Sequence, residues 1–144
     1  MRVADILKGK GPAVMSVKPS ETIGGLARRL RLAGVGAMIV SRDGHSLEGI
    51  ITERDIAYAL ASHAEDLHEM RVSDLMTTQV VTCSPQDLIA DVARIMTSRR
   101  FRHMPVKEGD RLVGVISIGD VLKHRLSEIE LEANVLRDIA MAGR

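Results

Sequence analysis

The sequence predicts a mixed α/β (α+β) fold made of two tandem βαββα units packed about a pseudo-two-fold axis, followed by a C-terminal helix. Similar segments recur in the same order along the chain. Each copy contains an amphipathic helical pattern and then two short apolar runs around a turn. The chain has 144 residues, 45% of them hydrophobic and 27% charged, which is enough for two small lobes that share a core.

The repeat is visible in three pairs of segments. The pairs are Arg2–Leu7 with Arg71–Met76, Pro19–Ile23 with Pro85–Ile89, and Gly49–Asp55 with Gly114–Asp120. Their spacing falls from 69 to 66 to 65 residues, and the length changes lie in glycine-containing segments, where loops tolerate insertions. We therefore expect a first unit at residues 2–65, a second at 71–126 and a C-terminal helical extension at 127–144.

Each copy is predicted to contain a strand, a helix, a hairpin and a second helix. Apolar residues spaced by three and four define the first helix, as at Ile23, Leu26 and Leu30, and Asp43-Gly44 marks a hairpin turn. The predicted elements are strands Ala13–Val17, Ala37–Ser41 and Leu47–Ile51 with helices at Ile23–Leu32 and from Glu53, then strands Val80–Cys83, His103–Lys107 and Leu112–Ile116 with helices at Leu88–Ser98 and from Ile118.

The segment Ser127–Met141 is predicted to form a further helix, because it is rich in Glu, Leu and Ala and contains no breaker. Four apolar residues lie on one stripe: Ile129, Ala133, Leu136 and Ala140. Such a stripe needs an apolar partner. We expect it to pack on its own module or at a dimer contact, in preference to serving as a free partner-binding helix.

Composition disfavours several classes of function. The net charge is +1 and the only aromatic residues are Tyr58 and Phe101, so neither DNA binding nor base stacking is expected. No apolar run approaches the roughly 18–20 residues of a membrane span, and the N-terminal residues do not resemble a signal peptide. The single cysteine, Cys83, fits a reducing cytoplasm and is expected to be a small buried hydrophobe.

One motif, Gly–apolar–apolar–Thr/Ser–x–x–Asp, occurs once in each copy at a strand-to-helix junction. It places Thr52 three residues before Asp55, and Ser117 three residues before Asp120. Taken alone, this spacing is more typical of a capping box, with the hydroxyl and the acid satisfying the first turn. It also suits a nucleotide, because a helix N-terminus attracts phosphate and a carboxylate accepts hydrogen bonds from a ribose diol.

A basic cluster precedes the last hairpin. Arg99 and Arg100 are explained as cations at a helix C-terminus. Arg102 and His103 lie at the strand entrance, where they would either be solvated or hold a phosphate, and the two interpretations have about equal weight. The histidines show no metal-ligand spacing, and no nucleophile–base motif or phosphate-binding loop is present, so neither a metal site nor an enzyme is expected.

These residues resemble a cystathionine β-synthase (CBS) domain pair. The resemblance covers about residues 2–126 and is closest in Arg102–Val106 and Leu112–Asp120. It implies a stand-alone, non-catalytic Bateman module, in which the sheets of the two motifs pack face to face and leave two clefts between the motifs. We expect this module to act as a homodimer. Ligands of that family contain adenosine: AMP, ADP, ATP, NAD(H) or S-adenosylmethionine.

The resemblance also implies roles for individual residues. Asp55 and Asp120 would meet ribose, and Thr52 and Ser117 would meet phosphate. The adenine would lie between apolar walls formed by Val14, Met38, Ile51, Val81, Met104 and Ile116. The first copy departs from the family pattern, because Gly36–Ile39 stands where the second has Arg102–Pro105. We therefore expect one cleft to be richer in phosphate contacts. The alternative is an interaction or dimerisation module with no nucleotide ligand, in which the Thr/Ser–Asp pairs only cap helices.

Overall fold

The computed structural model describes residues 1–11 and 14–143, and it confirms two βαββα repeats and a C-terminal helix. The elements are α1 (Val3–Lys10), β1 (Ser16–Val17), α2 (Ile23–Ala33), β2 (Ala37–Val40), β3 (Gly49–Thr52), α3 (Glu53–Leu60), α4 (Val72–Leu75), α5 (Ile89–Arg99), β4 (His103–Glu108), β5 (Arg111–Ser117) and α6 (Ile118–Ala142).

The two sheets repeat the same pairing. In the first, β1 pairs parallel with β2, and β2 pairs antiparallel with β3, so that Met38 lies opposite Ile51. In the second, β4 and β5 form the equivalent hairpin, with Met104 opposite Ile116. The turn of this hairpin contains Gly109 at φ +63°, a backbone conformation that glycine adopts without strain.

The first strand of each copy is shorter than predicted. Ala13 lies outside the described residues, and Val14 and Met15 precede the strand. The strand predicted at Val80–Cys83 is reduced to one parallel bridge between Cys83 and Val106. The reason is Pro105, which stands where the first sheet has Ile39 and offers no N–H for further pairing.

The first helix of each copy packs against the core of the other copy. Val3 and Ile6 of α1 lie in the second core, and Val72 of α4 lies in the first. The connections repeat as well, because Val3 N–H donates to the carbonyl oxygen of Asp87, and Val72 N–H to that of Glu21, each at 2.9 Å. This reciprocal exchange confirms the pseudo-two-fold axis. Neither helix was predicted, since eight and four residues are too few to show a helical period.

A third apolar cluster joins the two copies. Ala37, Ile39 and Ile50 from the first sheet meet Leu112 from the second, with Val14, Leu47, Val80 and Val115 packed around them. The sheets therefore share a core face to face. Cys83 is buried as predicted, and burial raises the pKa of its thiol to about 12.

Helix α6 runs without a break through residues 126 and 127, where the second predicted unit ends. Val121 is buried, but every residue from Ile129 to Gly143 is exposed. The stripe therefore does not pack on its own module, and the other half of the expectation, a dimer contact, stays a prediction. None of the helices in the described chain is both long enough and apolar enough to cross a membrane.

Candidate functional site: two clefts between the repeats

Thr52 and Asp55 cap helix α3 and also border a cleft. The Asp55 N–H donates to Thr52 Oγ1 at 3.3 Å, while the Thr52 N–H and hydroxyl donate to Asp55 Oδ2 at 2.9 and 3.1 Å. The capping interpretation is therefore correct for this motif. All three bonds leave Oδ1 of the carboxylate for other partners, so capping does not exclude a second role in binding.

Ser117 and Asp120 repeat this arrangement at the start of α6, with an important addition. The Ser117 N–H donates to Asp120 Oδ2 at 2.9 Å, and the Asp120 N–H donates to Ser117 Oγ at 3.1 Å. Lys10, from the end of α1, donates to the same Oδ2 at 2.8 Å and to the carbonyl oxygen of Val115 at 3.1 Å. In the Thr52 cleft, the segment that follows α4 contributes the neutral Gln79 to the lining.

The Lys10 ammonium changes the electrostatics of Asp120. Burial raises the pKa of this carboxyl, but the hydrogen bond from Lys10 and those from Ser117 outweigh it, so the net pKa is lowered. Asp120 is therefore ionised and already paired at neutral pH.

The first cleft, here called the Thr52 cleft, has a volume of about 220 Å³. The first copy contributes Thr52, Asp55 and Arg54 to it, together with the apolar side chain of Ile50. The second copy faces them with an apolar pair and a basic group, namely Val80, Val81, Arg100 and Arg102. Glu53 adds a second carboxylate, so two carboxylates, an apolar wall and three guanidinium groups surround one space.

The second cleft, here called the Ser117 cleft, has a volume of about 330 Å³. It is lined by Ser117 and Val115 from the second copy and by Val14, Met38 and Lys10 from the first. Asp120 is not among its lining residues, whereas Asp55 does line the Thr52 cleft. The Lys10 side chain stands between this carboxylate and the space that a ligand would use.

His103 and Gly36 form the wall between the clefts, and both residues border both spaces. A Cβ at Gly36 would lie 3.0 Å from Glu53 Oε1 and 3.5 Å from His103 Cε1, so a larger residue would have to displace the Glu53 side chain. Burial lowers the pKa of His103, while the nearby Glu53 carboxylate acts in the opposite direction. His103 is therefore neutral at pH 7.

Three of the six residues expected to form the adenine walls line a cleft, and the other three do not. Val81 lines the Thr52 cleft, and Val14 and Met38 line the Ser117 cleft. Ile51, Met104 and Ile116 are at most 1% exposed, lie in the two separate cores and line neither cleft.

The residues next to these three in the strands line the clefts instead: Ile50 lines the Thr52 cleft, and Val115 and His103 line the Ser117 cleft. Adjacent strand residues point to opposite faces. Where both neighbours are apolar, as at Ile50 and Ile51, the sequence does not indicate which one faces the cleft.

Other lining residues were missed. Arg100 was assigned only to the end of a helix, and α5 does end at Arg99 with Arg100 as its cap. Arg100 nevertheless borders the Thr52 cleft at φ +59°, where the first copy has Gly34 at φ +66°. It is the only non-glycine residue with positive φ among those described. The replacement of the first copy's glycine by arginine was visible in the sequence and could have indicated a role for Arg100.

The structure is thus a pair of βαββα repeats with two cavities between them, separated by the wall of Gly36 and His103. The CBS domain family model matches residues 3–62 and 72–127. The chain therefore belongs to the CBS domain family, and its two repeats form a CBS domain pair. CBS domains are in general regulatory, non-catalytic modules.

Individual relatives agree with this assignment. The CBS domain-containing protein YhcV of Bacillus subtilis is 31% identical over 114 residues, covering 79% of this chain and 80% of that protein. The crystal structure of the CBS-domain protein ATU1752 from Agrobacterium tumefaciens is 41% identical with a TM-score of 0.83, covering 87% and 99%. The fold is also shared by CBSX2, solved in complex with AMP, at 24% identity and a TM-score of 0.72, covering 88% and 96%.

Proposed function

We propose that this chain is a regulatory, non-catalytic module that binds an adenosine-containing phosphate compound in the Thr52 cleft. The observation that carries the proposal is the combination of Asp55, Thr52 and three arginines around one space with an apolar wall. The free Oδ1 of Asp55 would accept hydrogen bonds from a ribose diol. Phosphate would lie against the guanidinium groups, which bind it through paired N–H donors.

The charge of the cleft supports AMP, ADP or ATP over S-adenosylmethionine. The three arginines that border the cleft outnumber its two carboxylates, Glu53 and Asp55. The net charge of the lining is therefore positive, which attracts phosphate and repels a sulfonium. Its volume of about 220 Å³ lies below the roughly 300–1,000 Å³ of most ligand pockets, so a mononucleotide with phosphates at the mouth fits better than NAD(H). The AMP complex of CBSX2, a relative of the same fold, agrees with this choice.

Arg100 adds a separate argument. A side chain in the left-handed region costs roughly 1–2 kcal/mol, and the equivalent residue of the first copy is glycine. A strained arginine beside a cleft that already holds two others is consistent with selection for phosphate binding.

The two clefts would then bind with unequal affinity. In the Ser117 cleft, a ribose can reach Asp120 only after Lys10 leaves it. We therefore propose that the Thr52 cleft fills first and that Lys10 acts as an internal competitor for the ribose position of the Ser117 cleft.

Titration calorimetry with AMP, ADP, ATP, NADH and S-adenosylmethionine tests the proposal. We expect AMP, ADP or ATP to bind with one dominant site per chain, and the variant Asp55→Asn to weaken that site by about 10-fold or more, as for loss of a charged hydrogen-bond acceptor. The absence of binding by all five compounds at millimolar concentration would refute it.

Asp74→Asn is a matched control for this substitution. Asp74 occupies the same capping position in α4, where it accepts the Arg71 N–H at 2.9 Å, and it lines neither cleft. Affinity should be unchanged in this variant. Equal weakening in both variants would assign the effect to helix capping instead of ligand contact.

The alternative function is an interaction module without a nucleotide. It is favoured by the exposed apolar residues of α6, among them Leu131, Leu136 and Ile139. Whether the chain binds a nucleotide or only a partner protein, we propose that it is a homodimer located in the cytoplasm. Under the alternative, the chain would capture a partner protein through α6 and would ignore all five compounds. Binding of a nucleotide with the Asp55 dependence described above would reject it.

A further inference from the structure

The distal half of α6 has no packing partner within the described chain. From Ile129 to Gly143 every residue is exposed, and Leu136, Ile139 and Met141 are 63–67% exposed. An isolated helix of this length is marginal in water, and its stability in proteins comes mainly from burying an apolar face. The apolar residues of α6 therefore indicate a partner surface.

The spacing of one stripe identifies the kind of partner. Its members are separated alternately by four and three residues: Leu122, Leu126, Ile129, Ala133, Leu136 and Ala140. This is the period of 3.5 residues that keeps one seam facing another helix in a left-handed coiled coil. The stripe occupies six successive seam positions, just under three heptads, within a helix that continues to Ala142. The seam is thus long enough for a short coiled coil.

The module leaves this seam open along its whole length. Leu122 and Leu126 are 51% and 59% exposed although they lie in the part of α6 that packs on the module through Val121. A second helix can therefore approach from Leu122 onward without a clash with the helix's own core.

The charges beside the seam fit a parallel pair. In a parallel coiled coil, a residue at position g of one helix meets the residue five positions later, at position e, of the other helix. Here Arg125 is followed by Glu130, and Glu132 is followed by Arg137. Both combinations are opposite in charge, and two-fold symmetry doubles them to four interchain pairs.

Three of these charges have no ion-pair partner among residues 1–11 and 14–143. Glu130, Glu132 and Arg137 form no salt bridge, and no residue of opposite charge lies three or four positions away from any of them. Their arrangement has no use in the single chain, whereas a parallel partner helix pairs each of them.

We propose that α6 forms a parallel two-stranded coiled coil with α6 of a second copy of this chain, along the seam Leu122–Ala140. The small residues Ala133 and Ala140 let the helices approach closely, and the leucines and Ile129 fill the seam. The two CBS pairs then lie side by side at the N-terminal end of the coil. This geometry extends the homodimer in the proposed function and does not depend on nucleotide binding.

Sedimentation of the full chain tests the seam. We expect a concentration-dependent dimer that Leu136→Gln weakens by about 10-fold or more, because a seam leucine is lost from both helices. Leu131→Gln is the matched control, since Leu131 is 61% exposed, compared with 67% for Leu136, but faces away from the seam. A monomeric wild type, or equal loss of dimer in both variants, would overturn the proposal.

Two further variants test the parallel orientation. Glu132→Arg should weaken the dimer by about 5- to 30-fold, and adding Arg137→Glu should restore it, because the exchange recreates opposite charges. Ala140→Cys should form an interchain disulfide on oxidation, since Ala140 lies at the end of the seam and meets its own equivalent only in a parallel pair. The native thiol, Cys83, is buried and contributes little background. No rescue, or no crosslink, refutes the parallel coil.

Calorimetry on Leu136→Gln separates this proposal from the proposed function. Retained nucleotide binding by a weakened dimer supports both. Failure of every compound to bind, in a chain that still dimerises through the seam, would reject only the nucleotide function.

Discussion

Replacing Lys10 by glutamine should open the Ser117 cleft to the ligand that fills the Thr52 cleft. Lys10 Nζ lies 2.8 Å from Asp120 Oδ2 and 3.1 Å from the Val115 carbonyl oxygen, so it holds the carboxylate that ribose would need. The substitution introduces the residue type that Gln79 contributes to the lining of the Thr52 cleft. It removes the cation and keeps a polar side chain of similar reach.

The size of the effect follows from what the ligand must displace. The Lys10–Asp120 pair is partly exposed, with side-chain exposures of 42% and 27%, so its net ionic contribution is only about 0–1 kcal/mol. The hydrogen bond to a charged acceptor brings the total to roughly 1–3 kcal/mol. Removing that competition should strengthen binding in the Ser117 cleft by about 5- to 150-fold. Because the fold loses the same interaction, the free energy of unfolding should fall by at most about 1–3 kcal/mol.

Titration calorimetry with AMP tests this prediction, because it measures how many AMP molecules bind to each chain. The wild type should show one dominant site per chain, and Lys10→Gln should show a second site within the measured range. Lys8→Gln is the control, because Lys8 lies on the same helix, is exposed and lines neither cleft. An unchanged isotherm, or weaker binding, in Lys10→Gln would show that Lys10 does not compete for the ribose position.

Three further predictions follow from individual residues. Arg100→Gly should raise the free energy of unfolding by about 1 kcal/mol, since glycine adopts φ +59° without strain, yet should weaken AMP binding; a variant that is stabilised with full affinity would remove Arg100 from the site. Burial lowers the pKa of His103 below its ordinary 6.5, so the unfolded chain takes up the proton first and the free energy of unfolding should fall as pH drops below about 6.5. Urea unfolding from about pH 7 to about pH 5 should show a smaller loss of stability in His103→Gln than in the wild type. An identical loss would contradict this role of His103. Gly49→Ala should destabilise the fold by about 1–3 kcal/mol, because the new Cβ would lie 2.7 Å from the backbone oxygen of Thr77. Gly114→Ala should lower the free energy of unfolding by less, because its Cβ would meet only the end of the flexible Leu7 side chain, at 2.5 Å. The order of the two urea midpoints checks this prediction.

Local features of the fold were predictable because they depend on nearby residues. The hairpin turn at Gly109, the cap at Thr52 and the stripe on α6 each arise from chemistry within a few positions. The site was predictable only in outline. Arg102 and His103 were expected near a cleft, but only the packing of the two copies places Arg102 at the Thr52 cleft and His103 at both clefts.

The sequence by itself determined the repeat, the order of its strands and helices, and the two Thr/Ser–Asp junctions, since each depends on local spacing. Only the tertiary structure decided that Ile50 faces a cleft while Ile51 fills a core, because one strand turns neighbouring side chains to opposite faces. It also brought Lys10 onto Asp120, 110 residues further along the chain. A contact of that separation is set by how two lobes pack about their axis, which no local pattern encodes.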